Sequence, residues 1–385
     1  MNGYGNSTRL WTVLFGPEPF QEDVARWINQ KFVNSEILNF VLEQSHGGPC
    51  GVLAPVQAFS VVYCLNQGVK GIEPLMNQSL IQEAVSWALI RIMDRAATGP
   101  RTYLTHSSDT PRSFIQLENL EIGQISVLDF VASLVASRGI ETVLDDMDDP
   151  SNPLISRFGH CSQELLNLVL IGRATSNVFD GTHHLGDGVM LLRGVTEDVH
   201  DVQVGLLSEL ESLRYVTVGS RYKNPTNPVW IIGSPSHYTM LFGFQTAKSD
   251  ATERKSEEII RVFNKFALDE GLALSENLGK ILEAVGAPVN DPEASALTNE
   301  GIVLLHDFLE YSKKRGLYTE GPRDSESLDF LFINGQVPVQ VLRVRVDVGR
   351  VSEPEMDSVE GSASLRAILL TRWPNSTIRI SPYSV

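Results

Sequence analysis

The hydrophobic period of this 385-residue chain changes three times, and that order restricts the architecture more than any other feature. Up to about residue 175 the apolar residues recur at helical spacing. In SLIQEAVSWALIRIMDRA (79–96), Ile81, Ala84, Val85, Ala88, Leu89 and Ile92 share one face. SVLDFVASLVASRG (126–139) repeats the pattern and stops at Gly139, a residue suited to a helix C-cap. Between them TGPRTYLTHSSDTPRS (98–113) reads as a mobile loop, and the acidic DDMDDPSNP (145–153) as an exposed, solvated connection. After about 185 come short β-rich runs: VMLLRGV (189–195), LRYVTVG (213–219), NPVWIIG (227–233) and HYTMLFGF (237–244). The third and fourth flank a tight turn at Gly233-Ser234-Pro235-Ser236. Helical spacing returns over 252–318, and LDFLFINGQVPVQVLRVRV (328–346) reads as strands again. The simplest account is an α+β core over 1–250 and 319–385, with a helical insertion at 252–318.

Charge excludes some partners. Lys and Arg number 31 against 47 Asp and Glu, a net charge of −16, so neither nucleic acid nor an anionic membrane finds the basic patch it needs. A partner with a basic contact face fits better. No apolar run approaches the roughly 20 residues that span a bilayer, and MNGYGNSTRLW does not resemble a signal peptide. Cys50, Cys64 and Cys161 cannot all pair and stand at no metal spacing, which points to the reducing cytoplasm or nucleus. No metal or other cofactor is called for, and nothing sets an oligomeric state.

EQSHGGPCGVLAPVQAF (43–59) carries the chemistry. Val52, Val56, Phe59 and Tyr63 form one buried stripe on a helix that starts at or near Cys50, with Pro49 suited to its first position. A thiol there meets unpaired backbone N–H groups and the positive end of the helix dipole, which favour its thiolate. Pro55 should make the first turn irregular. Gly47 and Gly48 let a substrate backbone approach closely. Gln44 can donate its side-chain amide to an oxyanion beside the Cys50 N–H, a contact worth about 3 kcal/mol. Glutamine, turn and cysteine at a helix N-terminus is the arrangement of papain-like cysteine proteases, whose base is a histidine on a later strand. Cys64 and Cys161 lie in apolar helical stretches and read as packing.

Of eight histidines, His237 opens a strand after a tight turn, with Trp230 on the neighbouring strand to shield it from water. His46 shares the cysteine's loop and is better placed to line a cleft. His160 precedes a helix capped by Ser162 and reads as structural. His183 and His184, between Asp180 and Asp187, point in opposite directions along a strand-like loop, which disfavours a metal. His106, His200 and His306 read as surface residues. No later Asn or Asp stands out to orient the imidazole, so that role stays open.

QSHGGPCGVLAPVQAF, FGHCSQELLNLVLIGRATSNVFDG (158–181), VTVGSRYKNPTNPVWIIGSPSHYTMLF (216–242) and LLTRWPN (369–375) together resemble the MINDY cysteine deubiquitinases. The likeness is to the branch with an EF-hand-like insertion after its histidine. The resemblance implies a papain-like variant fold that cleaves polyubiquitin, with a preference for chains joined through ubiquitin's forty-eighth residue. It implies Cys50 as nucleophile, His237 as base and Gln44 as oxyanion donor. Gly51 and SVVYCLNQ depart from the usual family text after the cysteine, which bears on fine specificity rather than chemistry. VFNKFALDEGLALSENLGKILEAVG (262–286) resembles an EF-hand. Its loop is a residue short and has Leu and Ala at ligand places beside Asp269, Glu270 and Glu276, so calcium is not expected. The rival readings are a catalytically silent ubiquitin-binding scaffold of the same fold, and a papain-like peptidase or acyltransferase with another substrate.

Overall fold

The helix Cys50–Asn66 organises the architecture, because CGVLAPVQAFSVVYCLN has almost no face to give to water. Every residue from Cys50 to Val62 is buried, where a single stripe was expected. The helix packs against helices Gln78–Ala96 and Gln163–Ile171 and against two strands, so apolar residues are needed all round. Pro49 is its N-cap rather than its first residue, and the helix runs unbroken through Pro55. The irregularity is confined to the start, where the Pro49 carbonyl accepts from both Val52 (2.9 Å) and Leu53 (3.0 Å).

The computed structural model describes residues 3–45, 47–107, 112–118, 123–185, 190–196, 198–199, 201–245, 250–269, 271–318, 327–351 and 359–383. They form two compact units, 1–245 with 327–346 and 351–385, and 246–326 with 347–350. No helix among the described residues is long and apolar enough to cross a membrane.

In the first unit, β1 (Tyr103–His106) and β2 (Phe114–Leu117) form an antiparallel pair where a loop was expected. The cause lies on the helix Val127–Arg138. Ser137 Oγ accepts from Thr102 N–H (2.9 Å), Ser133 Oγ from Leu104 N–H (2.8 Å) and Asp129 Oδ1 from His106 N–H (2.7 Å). Four helical residues advance about 6 Å and two strand residues about 6.6 Å, so the two ladders match. The acidic connection is exposed at Asp145 and over 149–152 as expected, but Asp146 is buried in a bidentate pair with Arg138 (2.8 and 2.9 Å).

Strands β3 (Thr182–Leu185) and β4 (Met190–Arg193) pair separately. Then come β5 (Gly205–Ser208), β6 (Val229–Gly233) and β7 (Tyr238–Gly243). The short β8 (Ala267–Asp269), β9 (Leu272–Leu274) and β10 (Ile302–Leu304) belong to the second unit, and β11 (Ser327–Asn334), β12 (Gln340–Asp347) and β13 (Thr377–Pro382) come after them. The main sheet has the order β13-β12-β11-β7-β6-β5, with β5 parallel to β6 and β7 antiparallel to both β6 and β11. LRYVTVG is not a strand. Leu213 and Tyr215 are 55% and 76% exposed and Arg214 has φ 64°, whereas the preceding Leu206 and Leu207 are buried and lie in β5.

The second unit has its own core of Phe263, Ile281, Leu282, Val303 and Phe308, drawn from three helices and β10. Its order is a helix (Asp250–Lys265), β8 and β9, two helices (Leu278–Ala284 and Pro292–Ser295), β10 and a last helix (Leu305–Lys314), with β9 antiparallel to both β8 and β10.

Candidate active site

The Cys50 thiol sits at the start of its helix, yet it is only 4% exposed. Burial pushes its pKa up, and backbone N–H groups of Tyr238, Gly51 and Cys50 itself offset this only in part. In this state desolvation outweighs the backbone N–H groups that were expected to favour the thiolate. The thiol faces the Gly48 carbonyl at 3.8 Å.

Gln44 is held by the turn between β11 and β12. Its N–H donates to the Gly335 carbonyl (2.9 Å), and its carbonyl accepts from Val337 (3.1 Å). A Cβ on Gly335 would stand 2.4 Å from the Leu42 carbonyl oxygen, so only glycine allows this approach. The neighbouring residue completes the site. Asn334, the last of β11, places Oδ1 2.8 Å from His237 Nε2. The same oxygen accepts the Gln336 N–H (3.0 Å), which identifies it as the carbonyl end of the amide. An oxygen there requires the proton of neutral His237 on Nε2, leaving a lone pair on Nδ1. His237 itself closes the β6–β7 turn, its carbonyl accepting from Ser234 N–H at 2.9 Å.

Gln44, Cys50 and His237 thus line one pocket, with Leu53, Gln57, Tyr238, Met240 and Gly335 among its other walls. Its free space is about 10 Å³, room for a single water at most. Among the described residues no hydrogen bond joins Cys50 to His237. A nucleophile, an imidazole with a held tautomer and two amide donors in one pocket make an acyl-transfer constellation.

Two residues escaped the sequence reading. Asn334 left one signal, a polar residue ending the apolar run of LDFLFIN just before a glycine. Tyr238 replaces Trp230 as the aromatic wall. Trp230 instead packs on Phe330 and Trp373 and donates to the Lys223 carbonyl (3.0 Å). Tyr238 and Cys161 crowd Gly51, whose added Cβ would lie 3.2 Å from the tyrosine ring and 2.5 Å from the Cys161 Cβ and Sγ.

The remaining candidates lie elsewhere. Cys64 is buried in the core, and burial raises its pKa to about 11. His106 stacks near Trp11 and Phe114, and His183 near Phe179. His160 precedes the helix that Ser162 caps through Leu165 N–H. Asp180 accepts from Ser220 and Arg221, and Asp187 falls outside the described residues. His46 and His200 fall outside the described residues. Among those described, no group of three or more His, Cys, Asp or Glu could hold a metal ion.

Comparison with known proteins places the chain in a family. Residues 106–260 match the family model described as "Deubiquitinating enzyme MINDY-3/4, conserved domain". The chain is 32% identical to the Mus musculus "Ubiquitin carboxyl-terminal hydrolase MINDY-3" over 362 residues, covering 78% of this chain and 80% of the relative. It is 33% identical to the Drosophila melanogaster MINDY-3 homolog over 262 residues, 66% of this chain and 45% of that one. With the Xenopus tropicalis "Probable ubiquitin carboxyl-terminal hydrolase MINDY-4" it shares 31% identity over 254 residues, 56% of this chain and 33% of the other. No solved structure matches it.

Proposed function

Because the chain belongs to the MINDY-3/4 family of deubiquitinating enzymes, we propose that it hydrolyses isopeptide bonds in polyubiquitin through an acyl-enzyme on Cys50. It is an enzyme of the cysteine-protease class. The observation that carries the site assignment is the shared pocket of Gln44, Cys50 and His237, with Asn334 holding the imidazole at 2.8 Å.

Entry of the ubiquitin tail first has to open the pocket and bring Nδ1 of His237 to the thiol. His237 takes the Cys50 proton, and Sγ attacks the carbonyl carbon of the terminal glycine. Gln44 and the Cys50 N–H receive the oxyanion. As the C–N bond breaks, the imidazolium gives its proton to the leaving lysine amine, and a thioester remains. Water, losing its proton to His237, then displaces Sγ and frees the carboxylate. The preferred substrates are chains joined through ubiquitin's forty-eighth residue. A reduced nucleophilic thiol fits the cytoplasm or nucleus.

The test is a gel time course with long ubiquitin chains of defined linkage, run beside Cys50→Ala and His237→Ala. Cleavage abolished by both substitutions supports the assignment, and the linkage pattern decides the preference. The closed pocket and raised thiol pKa favour one rival, a silent scaffold of the same fold. Wild-type protein that retains chains on a column yet cuts none would establish it.

A further inference from the structure

The short sheet of the second unit has two apolar faces, and the core needs only one. β9 and β10 pair with Ala273 opposite Val303, and both side chains are fully buried. The pleat sends the alternate residues to the other side. There Leu272 stands opposite Leu304 and Leu274 opposite Ile302. On β8, Ala267 pairs with Ala273 and Asp269 with Leu272, and Leu268 between them sits in a bulge opposite Leu272 and is exposed. The exposures are 68% for Leu268, 36% for Leu272, 40% for Ile302 and 44% for Leu304. A single exposed leucine needs no explanation, but four large aliphatics on three adjoining strands form a contiguous patch of the kind that marks an interaction surface.

Charge narrows the partner. Glu276, Glu300, Asp307 and Glu310 lie in the segments flanking the patch, and all four are exposed. Residues 271–279 and 299–312 contain no lysine or arginine, while the exposed Lys265 precedes β8 and Lys280 follows the first of these segments. The complementary surface is therefore aliphatic at its centre and cationic where it meets the acidic segments beside β9 and β10. A second copy of this chain would bring the same acidic segments against itself, and an anionic membrane would be repelled. Ubiquitin's recognition face has the required chemistry, with isoleucine, leucine and valine bordered by lysine and arginine. We propose that the outer face of β8, β9 and β10 docks one ubiquitin unit of a chain while another unit is being cleaved. This rests on the deubiquitinase reading above and adds a second point of attachment to it. Two linked sites raise affinity for long chains through effective concentration, although each alone is weak.

The experiment uses the full chain carrying Leu272→Ser with Leu304→Ser, and separately Glu300→Lys. In a Cys50→Ala background, binding of 48-linked tetraubiquitin should weaken about tenfold with the serine pair and less with Glu300→Lys. In the active enzyme, kcat/KM on tetraubiquitin should fall by a similar factor through KM. Hydrolysis of a single ubiquitin bearing a fluorogenic C-terminal amide should stay within about twofold of wild type. Unchanged tetraubiquitin binding in variants whose thermal midpoints match wild type would overturn the proposal. So would an equal loss on the single-ubiquitin substrate, or loss of self-association with chain binding intact. Should the serine pair misfold, Glu300→Lys, which leaves the aliphatic face untouched, decides the matter. Wild-type protein that neither binds nor cleaves any chain would sink the deubiquitinase reading itself, whereas an active wild type with indifferent variants removes only the docking face.

Discussion

Asn334→Ala tests the most consequential contact in the site. The 2.8 Å bond from His237 Nε2 to Asn334 Oδ1 becomes charge-assisted once His237 takes the thiol proton. A hydrogen bond to a charged group contributes about 1.5–3 kcal/mol, which converts to a roughly 10- to 150-fold fall in kcat. Because Asn334 bonds Nε2 and leaves Nδ1 for the thiol, it acts through the imidazole, and KM should change little. The same oxygen also accepts the Gln336 N–H, so removing it loosens the turn that holds Gln44, and the upper part of that range is the better expectation. The assay is steady-state hydrolysis of a fluorogenic ubiquitin amide, with thermal unfolding to confirm that the variant is folded. Asn334→Asp keeps an acceptor oxygen in place and should retain much more activity than the alanine variant. A folded Asn334→Ala within about twofold of wild type would refute the positioning role, as would Asp and Ala variants equally impaired.

Three further outcomes follow from the same geometry. Gln44→Ala should lower kcat by about 10²–10³-fold with chain binding retained, because an oxyanion donor acts only in the transition state; unaltered turnover would remove Gln44 from that role. Gly51→Ala should lower the thermal midpoint, since the new Cβ meets Cys161 at 2.5 Å. Overpacking of about 1–3 kcal/mol outweighs the helix propensity that alanine gains, and a midpoint at or above wild type would contradict the packing described. The Cys64 pKa is raised to about 11 from 9.0, so the folded state holds a proton that the unfolded state releases. That contribution to stability is complete below pH 9.0 and disappears as the pH climbs through about 11. Melting curves across this window should show a steeper decline for wild type than for Cys64→Ala; parallel slopes would exclude the linkage.

The sequence by itself determined what local chemistry can specify. An apolar run led by Gly-Gly-Pro makes a helix with Cys50 at its first position, and Gly233-Ser234-Pro235-Ser236 makes the turn that delivers His237 to β7. These features depend on neighbours a few residues apart, within reach of the helical and strand periods. Asn334 was not legible because its partner is 97 residues away, and no local pattern says which polar residue at a strand end will meet an imidazole. The strand Tyr103–His106 was hidden for a similar reason. Its text is that of a loop, and it becomes extended because serines and an aspartate on a later helix match its backbone spacing. LRYVTVG shows the converse, a β-rich segment left outside the sheet because the adjacent buried run Gly205–Ser208 took the place beside β6. The state of the nucleophile was also decided by tertiary structure. Helix position argues for a thiolate, but Tyr238, Cys161 and the walls of the closed pocket withdraw water from Cys50, and in this state desolvation is the larger effect.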